Sequence, residues 1–327
     1  MLLWIVAWLV PGATAGDEPV TLRVGTIAPE GSPYYDACVS GARTITKTTK
    51  GAVRIKVFPA ASMGDEAQIM ASVQAGRLDG FAGSAVAAFE QVPELALFEL
   101  PYLFSGSAEV DRSFSAVWPQ LRKAMAARGY EALAYTEVGF RHLGTKKPIA
   151  TLDDLRKARI RTMPAPAYAR FWKLAGVPAV GMGTPDVVGR LEQGELDGFD
   201  SAITMMFAAS LHLYIKHLTL TGHTFQPGIA LLGPEARKRI PPSVLPHVFE
   251  GMAAEIKESI RRVREVELGL LASLPGVGVA VVPALPAVLE HLRTHAVTVR
   301  AEWRKAATPT GKRLFDTIAK LLAASRG

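Results

Sequence analysis

The chain has 327 residues, 49% of them hydrophobic and 20% charged, with a formal charge of +7. Those values bound it to roughly two globular domains with ample core. Its Lys and Arg residues are scattered and no basic run exceeds three, so the positive surplus suits an anionic ligand and argues against nucleic acid as a partner.

Residues 1–15, MLLWIVAWLVPGATA, join an apolar run to Pro-Gly and then Ala13-Thr14-Ala15. This is the pattern of a secretory signal peptide, too short to span a membrane, although no Lys or Arg precedes the run. Cleavage after Ala15 would start the mature chain at Gly16 and place it in the periplasm. Val20 to Ile27 alternates as a strand and ends in a turn-rich loop, Ala28 to Pro33. Ser32 is placed to cap a helix over about 34–47. In an open α/β sheet such a loop faces the ligand crevice, which makes Tyr34 and Tyr35 cleft candidates or supports for the loop. Cys38 is the only cysteine, so no intramolecular disulfide or multi-cysteine metal site is available, and it reads as a small buried hydrophobe.

A strand at 53–58 leads into Met63 to Phe81, MGDEAQIMASVQAGRLDGF, which is echoed by Met182 to Ser201, MGTPDVVGRLEQGELDGFDS. Both open on Met-Gly and close on Gly-x-Leu-Asp-Gly-Phe. Each reads as a turn, an amphipathic helix and a short strand, with Gly194 where a helix end needs positive φ. Two copies about one lobe apart imply two related lobes with a cleft between them. On this reading Phe199, Asp200 and Ser201 lie at a cleft edge. Glu66 either faces the cleft or merely starts a helix.

Between and beyond the copies, the patterns predict a helix over 108–127, a strand over 130–136 and a helix capped by Thr151. A strand over 158–163 then stops at Pro164. Arg161 lies at its end, where a charge is costly unless it meets water or a partner; the alternatives are a ligand and a salt bridge with Asp200 or another acid. Met163, Tyr168, Trp172 and the run Met205, Met206, Phe207 lie near the inferred cleft in sequence, the last three alternatively packing a helix face. Helix is expected over 203–214, a long strand over 223–233, helical structure over 237–274 broken near Pro241, Pro242 and Pro246, a strand over 277–282, and two last helices parted by Pro309. His291 and His295 stand four apart on the first of those helices, without the glutamate or third ligand of a metal site, and read as a solvated face. The sequence has no nucleophile motif, phosphate loop or dinucleotide fingerprint, so neither an enzyme nor a cofactor is expected.

These residues resemble the solute-binding subunits of tripartite ATP-independent periplasmic (TRAP) transporters, the DctP family. The likeness rests on Gly139-x-Arg141, Lys146-x-Pro-Ile-x-Thr-x-x-Asp-Leu155, Ile160-Arg161 and Leu191-x-Gln-Gly-x-Leu-Asp-Gly198, with Pro59-x-x-x-x-Gly-Asp-Glu66 before them. The resemblance implies an α/β, two-lobed, periplasmic-binding-protein-like fold, each lobe a mixed, mostly parallel sheet flanked by helices, with the ligand cleft between lobes. Lobe I would comprise 16–138 plus 227–266, and lobe II 139–226 plus 267–327. It also implies a receptor that binds a carboxylate and passes it to TRAP membrane permease subunits. Arg161 would pair with the ligand carboxylate, which a planar guanidinium fits bidentately, and Arg141 would add a second contact. Where relatives carry Asp-Gly-Gln-Glu-Asn-Pro, this chain has Asp197-Gly-Phe-Asp-Ser-Ala202. That departure, with the Met and aromatic residues nearby, favours an acid with a sizeable apolar body. A stand-alone carrier of an apolar or lipid-like acid, or a ligand sensor for a signalling partner, is the alternative.

Overall fold

A computed structural model describes residues 18–326. The signal-peptide reading of residues 1–15 lies outside the described residues. The strands are β1 Val20–Gly25, β2 Val53–Phe58, β3 Gly80–Ser84, β4 Glu131–Thr145, β5 Ile160–Thr162, β6 Ala179–Gly181, β7 Gly198–Ala202, β8 His217–Leu232 and β9 Ala280–Pro283. The helices are α1 Pro33–Thr48, α2 Glu66–Gln74, α3 Ser107–Ala126, α4 Leu152–Lys157, α5 Pro166–Leu174, α6 Val187–Glu192, α7 Ile203–Ala208, α8 Pro234–Arg239, α9 Leu245–Val248, α10 Met252–Ser273, α11 Pro286–Ala306 and α12 Pro309–Arg326. The sheet order is β2-β1-β3-β8-β4-β7-β5-β6, with β9 added beside β8. The two ends mirror each other: a parallel trio β2-β1-β3 on one side and β7-β5-β6 on the other, joined through the long antiparallel pair β8 and β4.

The repeated Leu-Asp-Gly-Phe segment closes each trio in the same way. Leu78 and Leu196 are buried, as are Phe81 and Phe199. The Asp79 carboxylate accepts the Arg23 N–H at 2.7 Å, and Asp197 accepts the Arg159 N–H at 2.9 Å, so each aspartate ties its strand to the backbone of the neighbouring one. Gly76 and Gly194 end the preceding helices at φ of 70° and 72°, as the spacing predicts. At the strand start nothing larger than hydrogen fits: a Cβ on Gly80 would stand 2.5 Å from the Leu231 carbonyl, and one on Gly198 would stand 2.2 Å from that of Gly144.

Strands β4 and β8 pair along most of their length, but the ladder shifts register three times, once between Glu137 and Gly139. At that shift Gly139 has φ of 123°, and Pro227, which has no N–H to give, lies opposite Glu137. Both glycine and proline thus sit where the ladder is already broken.

Several boundaries differ from the sequence patterns, each for a local reason. The helix expected over 203–214 stops at Ala208, because Ser210 takes φ of 55° and the chain continues as one 3₁₀ turn. Strands β4 and β8 are longer than expected, 15 and 16 residues: Arg141 and His142 of β4 pair with β7, and Thr224 and Gln226 of β8 pair with β4, so these stretches are strand despite polar composition. Pro309 is the first residue of α12, where its missing N–H costs nothing. Helix α12 packs against α3, and α10 runs along α1, β4 and α7.

Replacing Gly198 by Ala forces β7 away from β4 and is expected to destabilise the protein by about 1 to 3 kcal/mol. Urea unfolding should register this as a lower midpoint with an unchanged slope.

Candidate functional site

Between the two halves lies a cavity of about 940 Å³. The first half supplies Ile27, Tyr34 and Glu66 to its lining, the second Arg161, Met163 and Met205. Arg161 projects from β5, a strand held by parallel pairing to β7 and β6. It is 2% exposed, its Nε donates to the Met182 carbonyl at 2.9 Å, and its Nη2 lies 3.4 Å from the Thr184 hydroxyl. Among the described residues it forms no ion pair. Burial and the nearby Arg141 push its guanidinium down to about 10, so it stays charged at neutral pH.

Arg141, from β4, is 1% exposed and fully engaged with the protein on one side. It pairs with the Asp200 carboxylate, donates to the Asp200 carbonyl at 2.6 Å and to Gln226 Oε1 at 2.5 Å, and lies 5.4 Å from the centre of the Tyr168 ring. Asp200 is wholly buried and accepts three further side-chain bonds, from Thr162 at 2.8 Å, Trp172 at 3.0 Å and His223 at 3.3 Å. Burial alone would hinder its ionisation; Arg141 and His223 outweigh that and hold it well below the usual carboxylate range. The salt bridge considered for Arg161 and Asp200 is therefore made by Arg141 instead, which leaves Arg161 without an acidic partner among the described residues.

Tyr168 donates to Glu99, and burial pushes the Glu99 carboxyl up to about 8. Glu99 Oε1 and Arg141 Nε are buried atoms without a hydrogen-bond partner among the described residues. Glu66 accepts the Ser84 N–H at 2.6 Å, and its sunken setting pushes it up to about 7. It thus starts α2 and faces the cavity at once. The Tyr34 hydroxyl lies 2.5 Å from that of Thr204, and both reach the Val138 carbonyl, at 3.1 and 2.9 Å, which links α1 to α7 across the cleft.

Of the residues singled out in the sequence, Arg161, Met163, Glu66, Tyr34 and Met205 line the cavity, while Arg141, Asp200, Tyr168 and Trp172 form the hydrogen-bonded layer behind Arg161. Phe199 does not reach the cleft: it is fully buried in a separate core with Leu191, Ile203, Met206 and Leu218. Strand alternation explains this, since Asp200 points to one face of β7 and Phe199 and Ser201 to the other. Ser201 is buried too, and its hydroxyl bonds the Ala202 carbonyl at 3.1 Å. Tyr35 lines a groove between α1 and β2 instead. His291 bonds the Ala175 carbonyl at 2.9 Å. Sequence patterns did not flag Gln226, His223, Glu99 or Thr204; buried polar residues inside apolar strands are the signal that points to the first two.

The profile of the bacterial extracellular solute-binding proteins, family 7 (DctP), matches residues 24–306. A solute-binding protein of Verminephrobacter eiseniae is 27% identical over 272 residues, covering 83% of this chain and 81% of that protein. The 2,3-diketo-L-gulonate-binding periplasmic protein YiaO of Escherichia coli is 24% identical, covering 78% and 75%. Among solved structures, a TRAP periplasmic solute-binding protein from a Polaromonas species, bound to D-erythronate, superposes with a TM-score of 0.83 at 25% identity, covering 91% of this chain and 97% of that one.

Two measurements check the site's electrostatics. Asp200→Asn leaves Arg141 buried without its counter-charge and is expected to lower stability at pH 7 by about 3 to 5 kcal/mol in urea unfolding. Glu99 and Glu66 have folded pKa values raised above the unfolded carboxylate range. The folded state then holds more protons than the unfolded, so stability falls as pH rises from about 4.5 to 8. Glu99→Gln should flatten that slope in melting curves taken across the range.

Proposed function

The chain belongs to the DctP family, family 7 of the bacterial extracellular solute-binding proteins, and on that premise we propose that Arg161 is the anchor for an organic acid in the cleft between its lobes. The observation that carries this reading is the buried guanidinium that lines the cavity and has no acidic partner among the described residues. A buried charge is tolerated when it is paired, and a ligand carboxylate supplies the missing charge in a geometry two parallel N–H donors fit. That relatives of this chain bind 2,3-diketo-L-gulonate and D-erythronate, both acids, supports the same chemistry. Arg141 acts from behind: tied to Asp200 and Gln226, it holds the layer on which Arg161 rests.

In this reading the lobes are 16–138 plus 227–266 and 139–226 plus 267–327, and they turn about β4 and β8 where Gly139 and Pro227 interrupt the ladder. An acid touching Arg161 in one lobe and Glu66 or Tyr34 in the other favours the closed arrangement by its differential affinity. The closed receptor is the form handed to TRAP permease subunits. Residues 1–15 direct the chain to the periplasm and are removed. Capture and release break no covalent bond, so the role needs neither a catalytic group nor a cofactor.

Thermal-shift screening of organic acids should find compounds that raise the melting temperature of the wild type. Arg161→Ala should lose that response, with a cost of about 2 to 5 kcal/mol in binding. An Arg161→Ala protein that responds like the wild type would overturn the anchor assignment.

A further inference from the structure

Beside the cleft lies a second cavity of about 120 Å³, between the sheet and two helices. Val24, Leu133 and Ile229 line it from β1, β4 and β8, and Ala37, Gly41 and Ile256 from α1 and α10. Its polar lining groups are already used: Thr136 bonds Ser259 at 2.8 Å, Glu255 accepts from Thr44 at 2.7 Å, and Glu66 accepts the Ser84 N–H at 2.6 Å. None of the unpartnered buried polar side-chain atoms among the described residues belongs to this lining. A trapped water needs about 2 to 4 polar partners, whereas a dry apolar cavity of about 150 Å³ accommodates benzene. The space therefore suits a hydrocarbon group of ring size.

Ile27, Ala28, Tyr34, Glu66 and Met205 line both this cavity and the cleft, so they form the partition between the two. Gly83 keeps that partition thin: a Cβ there would stand 2.5 Å from Glu66 Oε1. We propose that the acid held in the cleft carries a phenyl-sized or branched-alkyl group that passes between Glu66 and Met205 into the apolar cavity while its carboxylate stays on Arg161. The inference rests on the carboxylate reading of Arg161 and adds the apolar half of the substrate. Burial pushes Glu66 up to about 7, which raises the share of its uncharged form at the entrance, and that form resists an apolar group less than a carboxylate does.

The test is calorimetric titration of pyruvate, phenylpyruvate and gluconate into wild type, Arg161→Ala and two cavity-filling variants, Gly41→Leu and Ala37→Leu. A Cβ on Gly41 has only the flexible end of Met252 nearby, at 3.6 Å, so a larger side chain extends into the cavity. If Gly41→Leu fails to fold, Ala37→Leu fills the same space from one turn earlier. The wild type should bind phenylpyruvate more than about tenfold tighter than pyruvate or gluconate. In a filling variant that ratio should fall close to one. A wild type that binds the three acids through Arg161 with equal affinity, or best with gluconate, overturns this inference and leaves the receptor reading standing. A tail preference that survives both filling variants overturns it as well. If no acid binds the wild type, the receptor reading falls and this inference with it.

Discussion

Two guanidinium groups are buried side by side at the centre of this molecule, and among the described residues only one of them forms an ion pair with an acid. Arg141 takes Asp200; Arg161 has a carbonyl and a distant hydroxyl. The remaining acids nearby, Glu66 and Glu99, are pushed by burial toward their neutral forms, which weakens their hold on the second charge, and neither forms an ion pair with it among the described residues. Charge balance at the cleft is left to what binds there. The rest of the site follows from this imbalance: a strand to hold Arg161, a layer of Trp172, His223, Thr162 and Gln226 to fix its neighbour, and a cavity for the anion to enter.

That layer shows how preorganisation is achieved without ligand contact. Asp200 accepts from Arg141, Thr162, Trp172 and His223, which come from four different elements. Each removes a degree of freedom from the carboxylate, and the carboxylate in turn aligns Arg141. A mobile ion pair at this place would yield to an incoming acid; a wholly buried, multiply bonded one resists exchange. The division of labour between the two arginines is thus a consequence of hydrogen-bond count, not of residue type.

How much of this was legible in the chain itself varies by the range of the interaction. The repeated Gly-x-Leu-Asp-Gly-Phe announces two similar halves because its parts act locally: a glycine that ends a helix, an aspartate that ties two strands, a glycine against a neighbouring carbonyl. Arg161 stands out because a cation at the end of an apolar strand requires explanation. The pairing of Arg141 with Asp200 is not legible, since it depends on the register of β4 and β7, which is set by strand pairing and interrupted by bulges elsewhere in β4. The place of Phe199 is not legible for a related reason. Position next to a functional strand end does not decide which face a side chain takes; the alternation along β7 sends it to the core and Asp200 to the site. The resemblance to solute receptors, carried by dispersed motifs, supplied the overall architecture that these local signals could not.

Strand β8 is shared by both ends of the sheet and pairs with β3, β4 and β9. Until residues 217–232 are available, β3 has β1 alone beside it and the edge it later offers to β8 has no strand. The first half's sheet is therefore completed only by a segment well over a hundred residues further along the chain, whereas β4, β7, β5 and β6 of the other half pair with one another without it.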